Sequence, residues 1–312
     1  MSSRSELDRL GAELTAAREG FVLATVVWAE RPTSAKPGDR ALVRSDGLIE
    51  GFVGGSCAES TVRAQALEAL ASGESRLVRI VPVDPADSAP RPGEVTVANP
   101  CLSGGSLELF LEPRLPRPFV VVLGEGPVAR ALEEVGSSLD YDLLRVPALP
   151  DAADAADATR GADAVVVATH GRDEERAIEA ARHAGVAYVG LVASRRRGLA
   201  VLDALELDDE ARARVHTPAG LDLGGRTPGE VALSILAEIV SLRHSSRSAR
   251  RAASGSTIPA AGESGLALDP VCGMKVAMVP ASLHLEVGGE TWWFCGSGCR
   301  DAYADDPARY RT

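Results

Sequence analysis

The sequence predicts an α/β protein in three modules: an α+β domain, a domain of parallel strands covered by helices on both faces, and a small cysteine-bearing module. Three observations carry this. The stretch PRLPRP at residues 113–118 holds three prolines that no regular ladder accommodates, so it separates two domains. Directly after it, FVVVLGEGPVARALEEV reads as a continuous apolar strand, a glycine turn and a helix, and opens a repeating strand–helix rhythm. From Leu268 onward the composition changes, with Trp292, Trp293, Phe294, Tyr303 and Tyr310 gathered beside three of the chain's five cysteines.

Taken in order, Leu7, Leu10 and Leu14 recur at helical spacing, and Gly20 separates that helix from the apolar run FVLATVVWA, which suits a buried strand. Asp46-Gly47 between apolar arms signals a hairpin. Residues 58–71 return to helical composition with Gly73 beyond their end, and RLVRIVPV and SLELFLEP read as further strands. In the second domain YDLLRV, ADAVVVATHG and VAYVGLVAS alternate with the helix-like GRDEERAIEAARHAG and RRRGLAVLDALE, which gives a parallel sheet. The segment closes on TPGEVALSILAEIVSLR, where Thr227 caps a helix, Pro228 occupies its first turn and Glu230 completes a capping box. The small polar residues that follow carry no periodicity and read as a flexible linker. The boundaries are therefore 1–115, 116–243, a linker over 244–267, and 268–312.

The chain of 312 residues is long enough for two domains and a remainder, and 45% hydrophobic content supplies their cores. A net charge of -11 gives no general attraction to phosphate backbones or anionic lipid, which argues against nucleic-acid and membrane-surface partners. No apolar run approaches the ~18 residues of a membrane span. The charged N-terminal MSSRSELDRL lacks the apolar core of a secretory signal, so a cytoplasmic setting with reduced thiols is expected. Metal or thiol chemistry then accounts for five cysteines better than disulfides do.

Cys272, Cys295 and Cys299 are spaced by twenty-two and three residues, with Gly296 and Gly298 allowing a tight turn between the last two. A module this short gains stability from a metal, and a thiolate site fits. Zinc wants a fourth ligand, for which His284 is the candidate, while Cu(I) accepts three sulfurs, so Zn and Cu both stay open. The plain alternative is buried, inert cysteines or a Cys295–Cys299 disulfide. DPVCGM, WWFC, the Cys299 spacing and the closing DPARY resemble the YHS family, grouped with the TRASH metal-binding modules. That resemblance implies metal sensing or delivery.

In the first domain GFVGGSCAES carries Gly54, Gly55 and Cys57, and NPCLSGGSLEL carries Cys101, Gly104 and Gly105, which look like mirrored halves of one site. Paired glycines let backbone N–H groups approach an anion or a flat ring, and a thiolate beside them can ligate a soft metal or carry sulfur. The same residues also suit ordinary strand turns with incidental cysteines.

Over about residues 20–243, the motifs TSAKPGDRALVRSDGLIEGFVGGSCAES, CLSGGSLELFLEP, ATHGRDEERAI, YVGLVASRRR and PAGLDLGGRTPGEVALSILAEIV resemble the XdhC/CoxI family, in the order that family has them. TSAKPGD and VGGSC are similar to the branch linked to carbon monoxide dehydrogenase. The resemblance implies an accessory factor that binds molybdenum cofactor, as molybdopterin or its nucleotide form, and helps its sulfuration or insertion into a molybdenum hydroxylase. It implies an apo-hydroxylase as client and a sulfur donor protein as a further partner, leaves a homodimer open, and makes Cys57 and Cys101 with their glycines the leading cofactor contacts.

The turn GEGPVA (Gly124, Gly126 and Ala129) follows a strand and opens a helix, the place where a dinucleotide pyrophosphate rests in a Rossmann-like domain. An NAD site carries an acid at the end of the next strand, where this chain has Arg145; that disfavours NAD and leaves NADP as a minor alternative beside a pterin phosphate or plain packing. The ends of later strands offer His170 and the run Ser194, Arg195, Arg196, Arg197, which suit an anionic ligand. No paired acid–base set accompanies them, so the expectation is a cofactor-binding chaperone, with an NADP-dependent oxidoreductase and a metal-sensing adaptor as rivals.

Overall fold

The computed structural model describes residues 4–82, 94–98, 105–147, 152–205, 207–255 and 265–310. They form two compact units, Met1–Pro116 with Arg247–Thr312, and Arg117–Ser246.

In the first unit six strands, β1 (Phe21–Glu30), β2 (Arg40–Arg44), β3 (Ile49–Gly51), β4 (Arg76–Val81), β5 (Glu94–Ala98) and β6 (Ser106–Arg114), form one sheet in the order β3-β2-β1-β6-β4-β5. Every pairing is antiparallel except β4 with β5. The period-two alternation of β1 and β2 divides two cores. Val22, Ala24, Val26, Ala41 and Val43 face helix α2 (Ser56–Ser72) through its Ala58, Val62, Ala66 and Ala69. Phe21 and Leu42 face α1 (Arg4–Ala16) through Leu7 and Leu14. The Asp46-Gly47 hairpin forms as its sequence predicts, with Gly47 at φ 82 and the Asp46 carboxylate accepting from Leu48 N–H at 2.9 Å. Gly73 ends α2 in the left-handed conformation, its N–H donating to the Ala69 carbonyl. Strand β5 has no counterpart among the strands expected from the sequence: EVTVA is short and only half-buried along its length, so its apolar signal is diluted.

The same unit contains the tail. Strands β12 (Leu266–Leu268) and β13 (Lys275–Ala277) pair antiparallel, as do β14 (Leu283–Val287) and β15 (Glu290–Phe294), before helix α9 (Ser297–Asp305). Gly288 and Gly289, both at positive φ, make the two-residue turn between β14 and β15. Buried Tyr303 stacks on Tyr310 and meets Trp292 and buried Phe294 in tilted ring contacts, which accounts for the aromatic enrichment. β13 packs against α2, so the tail is joined to the first domain and is not a free-standing third module.

The second unit holds five parallel strands, β7 (Phe119–Leu123), β8 (Asp142–Val146), β9 (Ala164–Val167), β10 (Tyr188–Leu191) and β11 (Val215–His216), in the order β11-β10-β9-β7-β8. Helices α5 (Glu174–His183) and α6 (Arg195–Ala204) cover one face. Helices α3 (Pro127–Gly136) and α8 (Pro228–Gly255) cover the other, with Leu132, Ile235, Leu236 and Ile239 fully buried. β7, β9 and β10 are buried on both faces, which is why they are continuous apolar runs, whereas the edge strand β8 is half-buried. Two short helices, α4 (Ala152–Thr159) and α7 (Asp209–Ala213), complete the unit.

The start of α8 is the expected capping box: Thr227 Oγ1 accepts from Glu230 N–H at 3.3 Å and Glu230 accepts from Thr227 N–H at 2.9 Å. The backbone N–H groups of Thr227 and Arg226, both donating to the Glu230 carboxylate, hold it below its usual range. Its end differs from expectation. The linker read over 244–267 is helix as far as Gly255, because the Ala and Arg of SARRAA are strong helix formers whose lack of apolar periodicity concealed them, and the tail begins at β12, before Leu268.

Candidate functional site

In the first unit a cavity of about 250 Å³ opens at the N-terminus of α2, lined by Gly55, Ser56, Cys57, Pro32, Thr33 and Gly105 among others. α2 begins here because Gly55 is extended, at φ -75 and ψ 175, and it caps the helix without a side-chain hydrogen bond to the first backbone N–H groups. The glycines play different parts. A β-carbon on Gly105 would collide with the Pro32 carbonyl, and one on Gly54 would crowd Ala58, so packing requires both. Nothing lies within 4 Å of where a β-carbon on Gly55 would stand, so its missing side chain leaves space for a ligand. Cys57 and Gly105, from the two expected half-sites, line one cavity. Cys101 and Gly104 lie outside the described residues.

The tail's cysteines converge. The Sγ atoms of Cys272, Cys295 and Cys299 and a carboxylate oxygen of Asp269 all lie within 4.8 Å of one another. Cys272 and Cys295 are 3.6 Å apart and Cys295 and Cys299 3.7 Å. A tetrahedral ion 2.3 Å from each sulfur needs S–S edges of about 3.8 Å, so the three thiols fit a thiolate-bound metal with little movement. Hydrogen bonding with Cys295 lowers the Cys272 thiol to about 7, while burial pushes Cys299 up to about 12. The hydrogen bond with Cys272, followed by burial, raises Cys295 as well. His284 is not a member of this group. Register sets it opposite Trp293, against which its ring packs at 5.0 Å, and its Nδ1 is 3.0 Å from the Ser282 carbonyl. Asp269 stands in its place, fully buried, with its carboxylate accepting from Val271 and Cys295 N–H at 2.9 and 2.8 Å. The sequence gives little sign of it, because Asp before Pro reads as a turn residue.

In the second unit the carboxyl ends of β7 and β9 meet where the strand order reverses, the position at which open α/β sheets take ligands. A cleft of about 520 Å³ there is lined by Gly124, Gly126, Arg130, Thr169 and His170. Gly124, at φ 130 against the Ala168 carbonyl, is demanded by close backbone approach, whereas at Gly126 a side chain would meet only the His170 ring. Arg145 is not at this cleft; it pairs with Glu133 at 2.8 Å.

A larger cleft of about 800 Å³ is lined by His170, Ser194, Arg195, Arg197 and the loop 217–225. Arg195 and Arg197 line it, whereas the exposed Arg196 does not, and Arg197 is the more buried of the two. It pairs at 2.6 Å with Glu174, which is 2% exposed and also accepts from Gly171 N–H. Ser194 caps α6, with its hydroxyl accepting from Arg197 N–H at 3.4 Å.

Behind the loop, Glu238 accepts from Tyr188 Oη at 2.6 Å and Gly220 N–H at 2.8 Å and contacts His216 Nδ1 at 3.0 Å. Burial, followed by the Glu238 hydrogen bond, raises the Tyr188 hydroxyl pKa. This network holds the cleft loop, and sequence spacing gave no hint of it because its members come from three separated elements. Glu238→Ala leaves buried donors unmet and is expected to cost about 2 kcal/mol and to speed amide exchange over 217–225. Unchanged exchange there would show that the loop holds itself.

Residues 14–81 match the XdhC and CoxI family and residues 120–239 match the XdhC Rossmann domain. With both parts present in order, the chain belongs to the XdhC/CoxI family. Among Escherichia coli (strain K12) proteins it is 30% identical over 248 residues to the uncharacterized protein YqeB, covering 72% of this chain and 44% of that protein. It is 26% identical over 287 residues to the molybdenum cofactor insertion chaperone PaoD, covering 75% and 87%. The chain thus spans less than half of the first relative and most of the second. A solved structure described as a xanthine dehydrogenase from Bacillus halodurans aligns with a TM-score of 0.37 at 17% identity, covering 76% of this chain and 95% of that one. Among the described residues no helix is long and apolar enough to cross a membrane.

Proposed function

We propose that this protein is an accessory factor that binds molybdenum cofactor and assists its sulfuration or insertion into an apo molybdenum hydroxylase of the carbon monoxide dehydrogenase or xanthine dehydrogenase type, and that its tail binds Zn or Cu. The family and the chaperone relative support the maturation role. The observation that carries cofactor binding is the cavity that joins a thiol, Cys57, to the uncapped start of α2 and to the open space at Gly55. The cofactor supplies a soft, dithiolene-bound metal. Cys57 is placed to ligate that metal or hold sulfur for it, and the α2 N–H groups orient the ligand's polar edge. The cavity is smaller than the ~300 Å³ of ordinary cofactor sites, so it suits the metal end alone. The NADP-dependent alternative lacks its key contact, since Arg145 is engaged by Glu133.

The test is protein purified from a cofactor-competent host, with released pterin quantified by fluorescence alongside molybdenum. Gly55→Val fills the cavity mouth without touching the core and is expected to lower pterin retention at least tenfold, about 1.4 kcal/mol. Parental retention by a folded Gly55→Val chain would remove the cavity from the binding site.

A further inference from the structure

Cys57 belongs to two neighbourhoods at once. It lines the cavity at the start of α2, and it also packs into the apolar cluster of Met274, Val276 and Cys295, together with Cys272 and Cys299. The approach is close. A β-carbon on Gly296 would stand 3.5 Å from Cys57 Sγ and 3.4 Å from Ser56 Oγ, so the glycine beside Cys295 lets the tail reach the helix start. β13 packs along α2, and Val279 reaches Gly47 of the hairpin, which fixes the tail on this side of the domain.

The tail's own donor set is three thiols and Asp269, whose two carboxylate oxygens already accept backbone N–H groups and brace the turn that presents Cys272. A soft ion held by three thiolates has its fourth position served better by sulfur than by such a carboxylate. Cys57 lies outside the 4.8 Å group in this structure, and a change of one χ1 rotamer moves a cysteine sulfur by roughly 3 Å.

We propose that Cys57 is an exchangeable fourth ligand of the tail's metal centre, completing a four-thiolate site for a soft d10 cation. The exchange is redox-neutral: a metal–Sγ bond forms at Cys57, its thiol proton passes to solvent, and the displaced ligand is water or the Asp269 carboxylate. The metal then fastens the tail to the first domain and withdraws Cys57 from the cavity. Ligation stands on the geometry; its consequence, that metal and molybdenum cofactor compete for one thiol, rests on the function proposed above.

The full-length chain, reduced and metal-free, is titrated anaerobically with Cd(II), and bound sulfurs are counted by 113Cd NMR and by thiolate charge-transfer absorption. The parent is expected to bind one ion through four sulfurs. Cys57→Ser is expected to bind one ion through three, at least tenfold more weakly, and Cys101→Ser to keep four. Equal sulfur counts for the parent and Cys57→Ser, or loss of a sulfur on Cys101→Ser in its place, overturns the proposal. Should Cys57→Ser misfold, mass-mapped alkylation of the parent serves: one equivalent of Cd(II) is expected to slow Cys57 modification at least tenfold, and an unchanged rate overturns the proposal. A parent with three sulfurs that still retains pterin overturns this inference and leaves the proposed function standing. Four sulfurs, with no pterin retained by metal-free protein from a cofactor-competent host, does the reverse.

Discussion

Stripping metal from the full chain with excess chelator is expected to abolish amide-exchange protection across residues 265–310 while both large sheets remain protected. The tail's interior is small: Met274, Val276, Phe294, Cys295 and Tyr303 supply most of its buried apolar side chains. Cores of this size rarely yield more than about 3–5 kcal/mol, whereas a structural thiolate-bound zinc supplies an apparent 10–16 kcal/mol near neutral pH. On the proposed metal binding, the ion therefore decides whether the segment is folded. Protection over 265–310 that survives chelation, with no Zn or Cu recovered, would sink the metal centre.

Leu109→Ala carries the second-largest expected effect. Leu109 lies on the central strand β6, is fully buried, and meets the α2 face of the sheet. Truncating such a leucine leaves a cavity that close-packed neighbours fill only partly, at a cost of about 2–5 kcal/mol. For a unit of this size that lowers its unfolding midpoint by roughly 5–15 °C. The contrast is Leu144→Ala in the second unit, where the side chain is 42% exposed and the cost should stay within about 0.5 kcal/mol. Matching midpoints for the two variants would mean that the α2–sheet interface is not the stabilising core.

The second domain is the most legible part of the sequence. Uninterrupted Val and Leu runs, one glycine turn and a capping box each have a single structural solution when both sheet faces are covered. The first domain's alternating strands are nearly as clear, apart from half-buried β5. Side-chain convergence is harder to read. The tail's cysteines stand out because a small, aromatic-rich module gives closely spaced thiols little to do except hold a metal or pair with one another. His284 does not, because spacing along the chain cannot say which way a strand residue points, and the β14–β15 register turns it toward Trp293. Arg197, Glu174 and the Glu238 network depend on contacts between elements, for which one sequence offers no period. The meeting of Cys57 with the tail is of the same kind, since more than two hundred residues of chain separate the partners.

The seating of β13 along α2 also bears on how the protein meets other molecules. On the ligand exchange proposed above, the tail is a resident competitor for Cys57, present at an effective concentration on the order of millimolar whatever the abundance of the protein. A client that needs that thiol must displace this resident. Weak, promiscuous encounters are screened out, and a high-affinity client gains access by loosening the tail's hold. Dilution leaves this screen unchanged, whereas cutting the tether turns it into an ordinary bimolecular contest that the freed tail loses at cellular concentrations.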